Sequence, residues 1–125
     1  MRLLLDTHVL LWWLDDPVLL ASPARAAISL NSNEVFVSAA AVWEIAIKKA
    51  LGKLQAPDDL EAVMEEDRFQ PLPITVPHAL AVASLPSIHQ DPFDRIQVAQ
   101  VQLEDLTFVT RDTRLKQYDI PYIDA

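Results

Sequence analysis

The chain has 125 residues, 51% of them hydrophobic, which is enough for one domain with a buried core and too few for two domains. It contains no cysteine and a single glycine, which excludes disulfides, thiolate zinc sites, cysteine nucleophiles and the glycine-rich loops that cradle phosphates. The formal net charge of −8 argues against nucleic-acid binding unless several of the 18 acidic residues converge on a cation site, where a bound metal would reverse the local sign.

The pattern of apolar residues predicts strands that alternate with helices along the chain. Two helix starts are marked by serine caps, since Ser22 precedes Pro23 and Ser38 precedes a long helix that is stopped by Gly52. The predicted strands are 2–5, 34–37, 69–74, 106–110 and 122–123, and the predicted helices are 9–14, 22–30, 39–51, 58–68, 77–85, 91–105 and 112–118. The third strand contains two prolines, so it can lie only at the edge of a sheet.

This alternation predicts an α/β fold, a single domain over residues 1–125 in which a short, mostly parallel central sheet is flanked by helices to give three layers. In such an architecture ligands bind beyond the carboxyl ends of the strands. No apolar stretch is long enough to cross a membrane and no secretory leader is evident, so we expect a cytoplasmic protein with no membrane partner.

Two acidic residues follow predicted strands. Asp6 comes directly after the first strand, and Asp112 lies two residues beyond the strand 106–110. Both are therefore expected at the carboxyl edge of the parallel sheet. Each also has a simpler interpretation, because aspartate is a favoured N-cap and either residue could begin the next helix.

Glu44 lies inside an apolar helix, with Trp43 and Ile45 as its neighbours. A carboxylate buried there needs a partner, because burial of an unpaired charge is unfavourable. The simpler interpretation is an ion pair with Lys48, four residues on, which would contribute only about 0.3–0.5 kcal/mol if it is exposed. That pair would not explain why the helix is apolar on nearly every other side.

The helix predicted from residue 91 begins with two acids. Asp91 fits the N-cap, with Pro92 at the first helical position, and is expected to be mainly structural. Asp94 lies in the first turn, where the helix dipole favours an anion and where a metal ligand can point away from the helix. We therefore expect Asp94 to be mainly functional.

The histidines and tryptophans give weaker signals. His8 could reach the same cleft as Asp6, but it is interpreted first as a polar residue at a helix start. His78 and His89 have no partner at the spacing of metal ligands. The three tryptophans lie at helical spacing among aliphatic residues and are expected in the core or at an interface.

Spacing alone does not show that the acids meet. If they do, they form an all-oxygen site that suits a hard cation such as Mg²⁺ or Mn²⁺. Such a site activates water and neutralises a phosphodiester during in-line displacement. The acids concerned are Asp6, Glu44, Asp94 and Asp112.

Four segments occur together in the chain: Leu3-Leu4-Leu5-Asp6-Thr7-His8, Val37-Ser38-Ala39-Ala40-Ala41-Val42-Trp43-Glu44-Ile45, His89-Gln90-Asp91-Pro92-Phe93-Asp94-Arg95 and Val109-Thr110-Arg111-Asp112. By these motifs the chain resembles a PIN domain, and specifically the VapC-type toxins of bacterial and archaeal toxin–antitoxin operons. The resemblance covers essentially the whole chain, with the motifs in the family's order and at similar separations.

This resemblance implies an endoribonuclease that depends on Mg²⁺ or Mn²⁺ and cleaves RNA with metal-activated water. By motif position, the catalytic and metal-binding acids would be Asp6, Glu44, Asp94 and Asp112, supported by the hydroxyls of Thr7 and Thr110. Ala41 stands where many relatives carry a second serine, which affects a supporting hydrogen bond. The resemblance also implies a homodimer and a cognate antitoxin that silences the enzyme.

An RNA substrate is unexpected for so acidic a chain, but basic residues could still form a local rim around the pocket. The candidates are Lys48, Lys49, Lys53, Arg95, Arg111 and Arg114.

Two other functions stay open. A phosphatase of the haloacid-dehalogenase type also begins with a strand that ends in aspartate, but it needs a second aspartate two residues on, where this chain has His8. A non-catalytic interaction domain would use the acids as helix caps and surface charges, and it would bind no divalent metal.

Overall fold

Five parallel strands form one sheet in a computed structural model that describes all of residues 1–125. The strands are β1 (Arg2–Leu5), β2 (Glu34–Ser38), β3 (Gln70–Leu72), β4 (Thr107–Thr110) and β5 (Tyr122–Asp124), in the spatial order β3-β2-β1-β4-β5. The helices are α1 (Thr7–Asp15), α2 (Ser22–Ser29), α3 (Ala39–Ala50), α4 (Leu60–Glu66), α5 (Val76–Ala81) and α6 (Pro92–Leu103). Single 3₁₀ turns occur at Pro17–Leu19, Val82–Ser84 and Leu115–Gln117.

The central strand β1 is buried on both faces. Leu3 and Leu5 pack with residues of α1, α2 and α3, whereas Leu4 packs on the opposite face with residues of α6. Successive side chains of a strand point to opposite faces, so the apolar run of β1 contributes to two separate cores. The result is the three-layer α/β arrangement that the alternation of strands and helices predicts.

The order of the strands creates a crevice at the carboxyl end of β1. The chain leaves β1 for β2 on one side, and β4 is added later on the other side. Such a reversal of strand order opens a space between the loops that follow the two strands. Asp6 follows β1 and Asp112 follows β4, so both residues lie at this crevice.

The predicted elements are confirmed in order and type, with two corrections at helix starts. The N-cap of α2 is Ala21 and not Ser22, because the Ala21 carbonyl already accepts the N–H of Arg25 at 3.1 Å. The predicted helix 112–118 is reduced to one 3₁₀ turn, because the backbone hydrogen bonds there span three residues, as from the N–H of Tyr118 to the carbonyl of Leu115 at 3.3 Å. The segment with two prolines forms β3 at the edge of the sheet, as expected.

None of the helices is long and apolar enough to cross a membrane.

The two serines differ in their roles, which a pair of substitutions can test. Ser38 is fully buried and its hydroxyl accepts the N–H of Ala40 at 3.0 Å, whereas Ser22 is exposed and lies inside its helix. We expect Ser38→Ala to lower the free energy of unfolding by about 1–2 kcal/mol. The matched change Ser22→Ala should alter it by less than about 0.5 kcal/mol. Urea unfolding measures both, and equal effects would contradict the assignment of the caps.

Candidate active site

A pocket of about 650 Å³ opens at the carboxyl edge of the sheet, and we call it the acidic pocket. Most of its lining residues are polar or charged, whereas small-molecule pockets are lined predominantly by apolar side chains. The acids that line it are Asp6, Glu44, Asp91, Asp94 and Asp112, the bases are Lys48, Arg111 and Arg114, and the remaining lining residues are His8, Trp12, Ile88, His89 and Gln90. All four of the predicted site acids therefore meet in one place.

Asp6 and Asp112 are linked through Thr110. The hydroxyl of Thr110 donates to the carboxylate of Asp6 at 2.8 Å and accepts the backbone N–H of Asp112 at 3.1 Å. Asp6 occupies the N-cap position of α1, but its carboxylate makes no capping bond to that helix. Burial raises the pKa of this carboxyl, which is only 5% exposed. The capping interpretation therefore does not account for Asp6.

Glu44 projects from α3 into the pocket and is 3% exposed. Its Oε2 atom accepts a hydrogen bond from Lys48 Nζ at 2.5 Å, so the ion pair with Lys48 exists. The same contact raises the pKa of the Lys48 ammonium. The other oxygen, Glu44 Oε1, is buried and has no hydrogen-bond partner, a situation that is unfavourable without a ligand.

Asp94 lies in the first turn of α6 with its carboxylate free of helix capping. Asp91 does the capping, since its Oδ1 atom accepts the N–H groups of Phe93 at 2.8 Å and Asp94 at 3.2 Å. Burial and then the neighbouring charges, beginning with that of Asp6, raise the pKa of Asp94 to about 8. The structure thus separates a capping acid from an acid that faces the pocket.

Asp112 is the most strongly hydrogen-bonded of the four acids. Oδ1 accepts from the N–H and Nε of Arg114, and Oδ2 accepts from Nη2 of Arg114 at 3.0 Å. His89 Nε2 lies 3.2 Å from the same Oδ2 atom. Burial alone would raise the pKa of Asp112, but these hydrogen bonds outweigh it and the pKa is lowered.

The donor set fits a divalent cation. Ligand atoms of Asp94, Asp112 and His89 lie within 4.8 Å of one another. Asp6 and Glu44 line the same pocket outside this close group, and their carboxylate oxygens are also of the kind that Mg²⁺ and Mn²⁺ prefer. One of them, Glu44 Oε1, is buried without a partner. A bound cation would also relieve the repulsion that raises the pKa of Asp94.

A family model of the PIN domain matches residues 3–121 of the chain. The chain belongs to the PIN-domain family. It is 29% identical over 121 residues to Ribonuclease VapC22 of Mycobacterium tuberculosis, which covers 94% of this chain and 92% of that protein.

Solved structures share the fold. One chain of the VapBC2 structure from Rickettsia felis bound to a promoter DNA fragment has a TM-score of 0.75 at 12% identity, covering 99% of this chain and 98% of that chain. A chain of DNA-bound VapBC from Salmonella typhimurium has a TM-score of 0.72 at 19% identity, with the same coverage.

In this PIN domain one pocket residue escaped the sequence prediction. His89, expected to have no partner at metal-ligand spacing, lies with its Nε2 3.0 Å from Asp94 Oδ2 and 3.2 Å from Asp112 Oδ2. These partners belong to α6 and to the loop after β4, so spacing along the chain could not reveal them. The signal was the presence of His89 in the same motif as Asp94. His78 is likewise paired, with Glu104 at 2.7 Å.

The predicted basic rim is only partly formed. Lys48, Arg111 and Arg114 line the pocket of the PIN domain. Arg95 instead donates to backbone carbonyls, including those of Val82 and Pro86 at 3.0 Å, and so fastens a loop. Two further candidates lie elsewhere. Lys49 donates to the carbonyl of Ala56 and to Asp58, and Lys53 is absent from the pocket wall.

Thr7, expected to support the acids, accepts a hydrogen bond from Gln97 at 3.4 Å.

The raised pKa of Asp94 predicts how the stability of the metal-free PIN domain depends on pH. The unfolded chain releases this proton near its ordinary pKa of about 3.9, whereas the folded chain keeps it up to about pH 8. Unfolding therefore releases a proton in this interval, and the free energy of unfolding should fall as the pH rises from about 5 to about 8.

Thermal unfolding in EDTA across this range tests the expectation. Asp94→Asn should make the decline shallower, with the remainder due to Asp6, whose pKa burial also raises. Asp119→Asn, at an exposed position outside the pocket, should leave the decline unchanged. An equal decline in the wild type and in Asp94→Asn would show that Asp94 titrates normally.

Proposed function

We propose that this PIN domain is an endoribonuclease dependent on Mg²⁺ or Mn²⁺ and acts as the VapC-type toxin of a toxin–antitoxin pair. The observation that carries the proposal is the meeting of four acids in one pocket with a buried carboxylate oxygen, Glu44 Oε1, left without a partner. Family membership and a relative named as a ribonuclease support the choice of RNA as substrate. We further propose that residues 1–125 act as one domain in the cytoplasm.

The residues of the pocket have different roles in the proposed reaction. A bound divalent ion would supply an activated water and would neutralise charge on the scissile phosphate. The ion would be held by Asp6, Glu44, Asp94 and Asp112. Thr110 orients Asp6 through its hydroxyl, and Thr7, buried at the start of α1, is held by Gln97.

Three bases at the pocket provide contacts for the RNA backbone. Arg111 and Arg114 are exposed and Lys48 is half-buried. Nη2 of Arg111 donates to the carbonyls of Leu19 and Ala125 at 2.6 Å, while Lys48 and Arg114 are paired with pocket acids. Their remaining N–H groups are the ones that can approach a phosphate that enters the pocket. Arg111 also lies over the ring of Trp12, with 4.0 Å from Cζ to the ring centroid, which fixes its position. Local positive charge of this kind can bind a polyanion although the whole chain is acidic.

We expect Asp94→Asn and Asp6→Asn to reduce cleavage of single-stranded RNA in the presence of Mn²⁺ by about 100-fold or more, because each change removes a metal ligand. The control Glu66→Gln, an exposed acid of α4 far from the pocket wall, should cleave like the wild type. Gel analysis of a labelled RNA measures the rates, and thermal unfolding checks that the variants are folded.

Full cleavage by either aspartate variant would remove that residue from the mechanism. Hydrolysis of a small phosphate ester with no cleavage of RNA would favour the phosphatase alternative. A melting temperature that changes with neither millimolar Mn²⁺ nor EDTA would contradict the metal site itself. A ligand that binds only the folded chain must raise the melting temperature.

The proposal includes two protein partners, a second copy of the chain and a cognate antitoxin. Exposed apolar residues at four-residue spacing support a partner on α3: Trp43 is 60% exposed, Ile47 37% and Leu51, at the helix end, 63%. The named structures of similar fold are toxin–antitoxin assemblies, which supports an antitoxin for this chain too. We propose that the antitoxin covers the helices near Trp12, Trp13 and Trp43 and places an Arg or Lys against the pocket acids.

Under this arrangement binding and inhibition should separate. Trp43→Ser should weaken the antitoxin complex in gel filtration, whereas Leu30→Ser, a comparably exposed apolar residue at the end of α2, should not. Truncation of the inserted Arg or Lys of the antitoxin should restore RNA cleavage while the complex survives. An antitoxin truncated in this way that still silences the enzyme would show that inhibition acts by blocking access of RNA or by disrupting the dimer.

A further inference from the structure

His89 is held rigidly between the two walls of the acidic pocket. Its side chain is 4% exposed, and its backbone N–H donates to the hydroxyl of Tyr118 at 3.0 Å. Arg95 Nη1 contacts both the carbonyl of His89 and the hydroxyl of Tyr118 at 3.3 Å. These contacts fix the loop before α6, so the imidazole has little freedom to turn.

The hydrogen bonds of the ring decide where its proton lies. Nδ1 accepts the backbone N–H of Asp91 at 3.1 Å, so Nδ1 carries no proton. The proton of the neutral ring is therefore on Nε2, which donates to Asp112 Oδ2 at 3.2 Å. The same nitrogen lies 3.0 Å from Asp94 Oδ2.

This arrangement argues against His89 as a metal ligand. Ligand atoms of His89, Asp94 and Asp112 lie within 4.8 Å of one another, which by itself would suit an ion. Nε2 could bind a metal only after losing its proton, and the proton would then have to occupy Nδ1, where the N–H of Asp91 already points. The backbone of the helix start thus selects the form of the ring that donates to carboxylates.

We propose that His89 is a positioning residue that keeps the carboxylates of Asp94 and Asp112 close together across the acidic pocket, ready for the cation. Its Nε2–H donates to Asp112 Oδ2, and the same nitrogen lies 3.0 Å from Asp94 Oδ2. The inference rests on the proposed function and adds a residue to it. Asp94 belongs to α6 and Asp112 to the loop after β4, and two carboxylates repel each other in the absence of a donor between them. Substitution of residues that orient metal ligands in this way commonly lowers metal affinity by about 10–100-fold.

Two isosteric substitutions separate the two nitrogens of the ring. In His89→Gln the side-chain amide reaches the place of Nε2 and keeps a donor there, whereas in His89→Asn the shorter amide can replace only Nδ1. We expect His89→Asn to bind Mn²⁺ about 10–100-fold more weakly than the wild type, and His89→Gln to stay within about 3-fold of it. Titration calorimetry with Mn²⁺ on the full-length, metal-free chain measures these affinities, so the readout does not depend on cleavage.

Tyr118→Phe is the control for a merely structural role, because it removes the anchor of the loop and leaves Nε2 in place. It should lower the melting temperature in EDTA without a comparable loss of Mn²⁺ affinity. The role of Nε2 would be overturned if His89→Asn bound Mn²⁺ as tightly as the wild type. It would also be overturned if His89→Gln or Tyr118→Phe weakened Mn²⁺ binding as much as His89→Asn does. If His89→Asn fails to fold, His89→Leu, which is of similar size and has no donor at the place of Nε2, takes its place, with the same expected loss of Mn²⁺ affinity. A wild-type chain that binds no Mn²⁺ would instead contradict the proposed function.

Discussion

The burial of several carboxylates side by side is the constraint on which the rest of the pocket depends. Asp6 and Glu44 are 5% and 3% exposed, and Asp94 lies close enough to both to feel their charges. Burial of a neutral polar group without a partner costs about 2–7 kcal/mol, and burial of an isolated charge costs more. Each acid therefore needs a compensating contact. Thr110 supplies such a contact for Asp6, and Lys48 supplies one for Glu44. Asp112 accepts hydrogen bonds from both Arg114 and His89.

Asp94 is the acid that these contacts leave least compensated. His89 Nε2 lies 3.0 Å from its carboxylate, but the proton on Nε2 is donated to Asp112. Asp94 instead keeps a proton up to about pH 8, because burial and the neighbouring carboxylates raise its pKa to about 8. A cation and a proton would compete for the Asp94 carboxylate, so binding of a metal ion there would release the proton.

The sequence predicts the parts of this arrangement that are local. A strand followed at once by aspartate places Asp6 at the sheet edge, and Asp91-Pro92 marks the start of α6 so clearly that Asp94 is assigned to its first turn. The pair of Glu44 with Lys48 follows from helical spacing. Contacts between distant segments follow no such rule. The position of His89 between α6 and the loop after β4, and the capture of Arg95 by loop carbonyls, depend on how segments pack in three dimensions.

The acidic composition and a polyanionic substrate are compatible because net charge and local field act over different distances. At about 0.1 M salt, charges more than about 10 Å apart are largely screened, so acids on α4, remote from the pocket, contribute little there. What RNA meets at the pocket is the sum of the lining acids, the three bases and any bound cation. Without a cation this sum does not favour a polyanion, since even with Asp94 protonated four other acids face three bases. Under the proposed function the metal therefore serves association as well as chemistry, because it makes the pocket acceptable to a phosphate before any bond is broken.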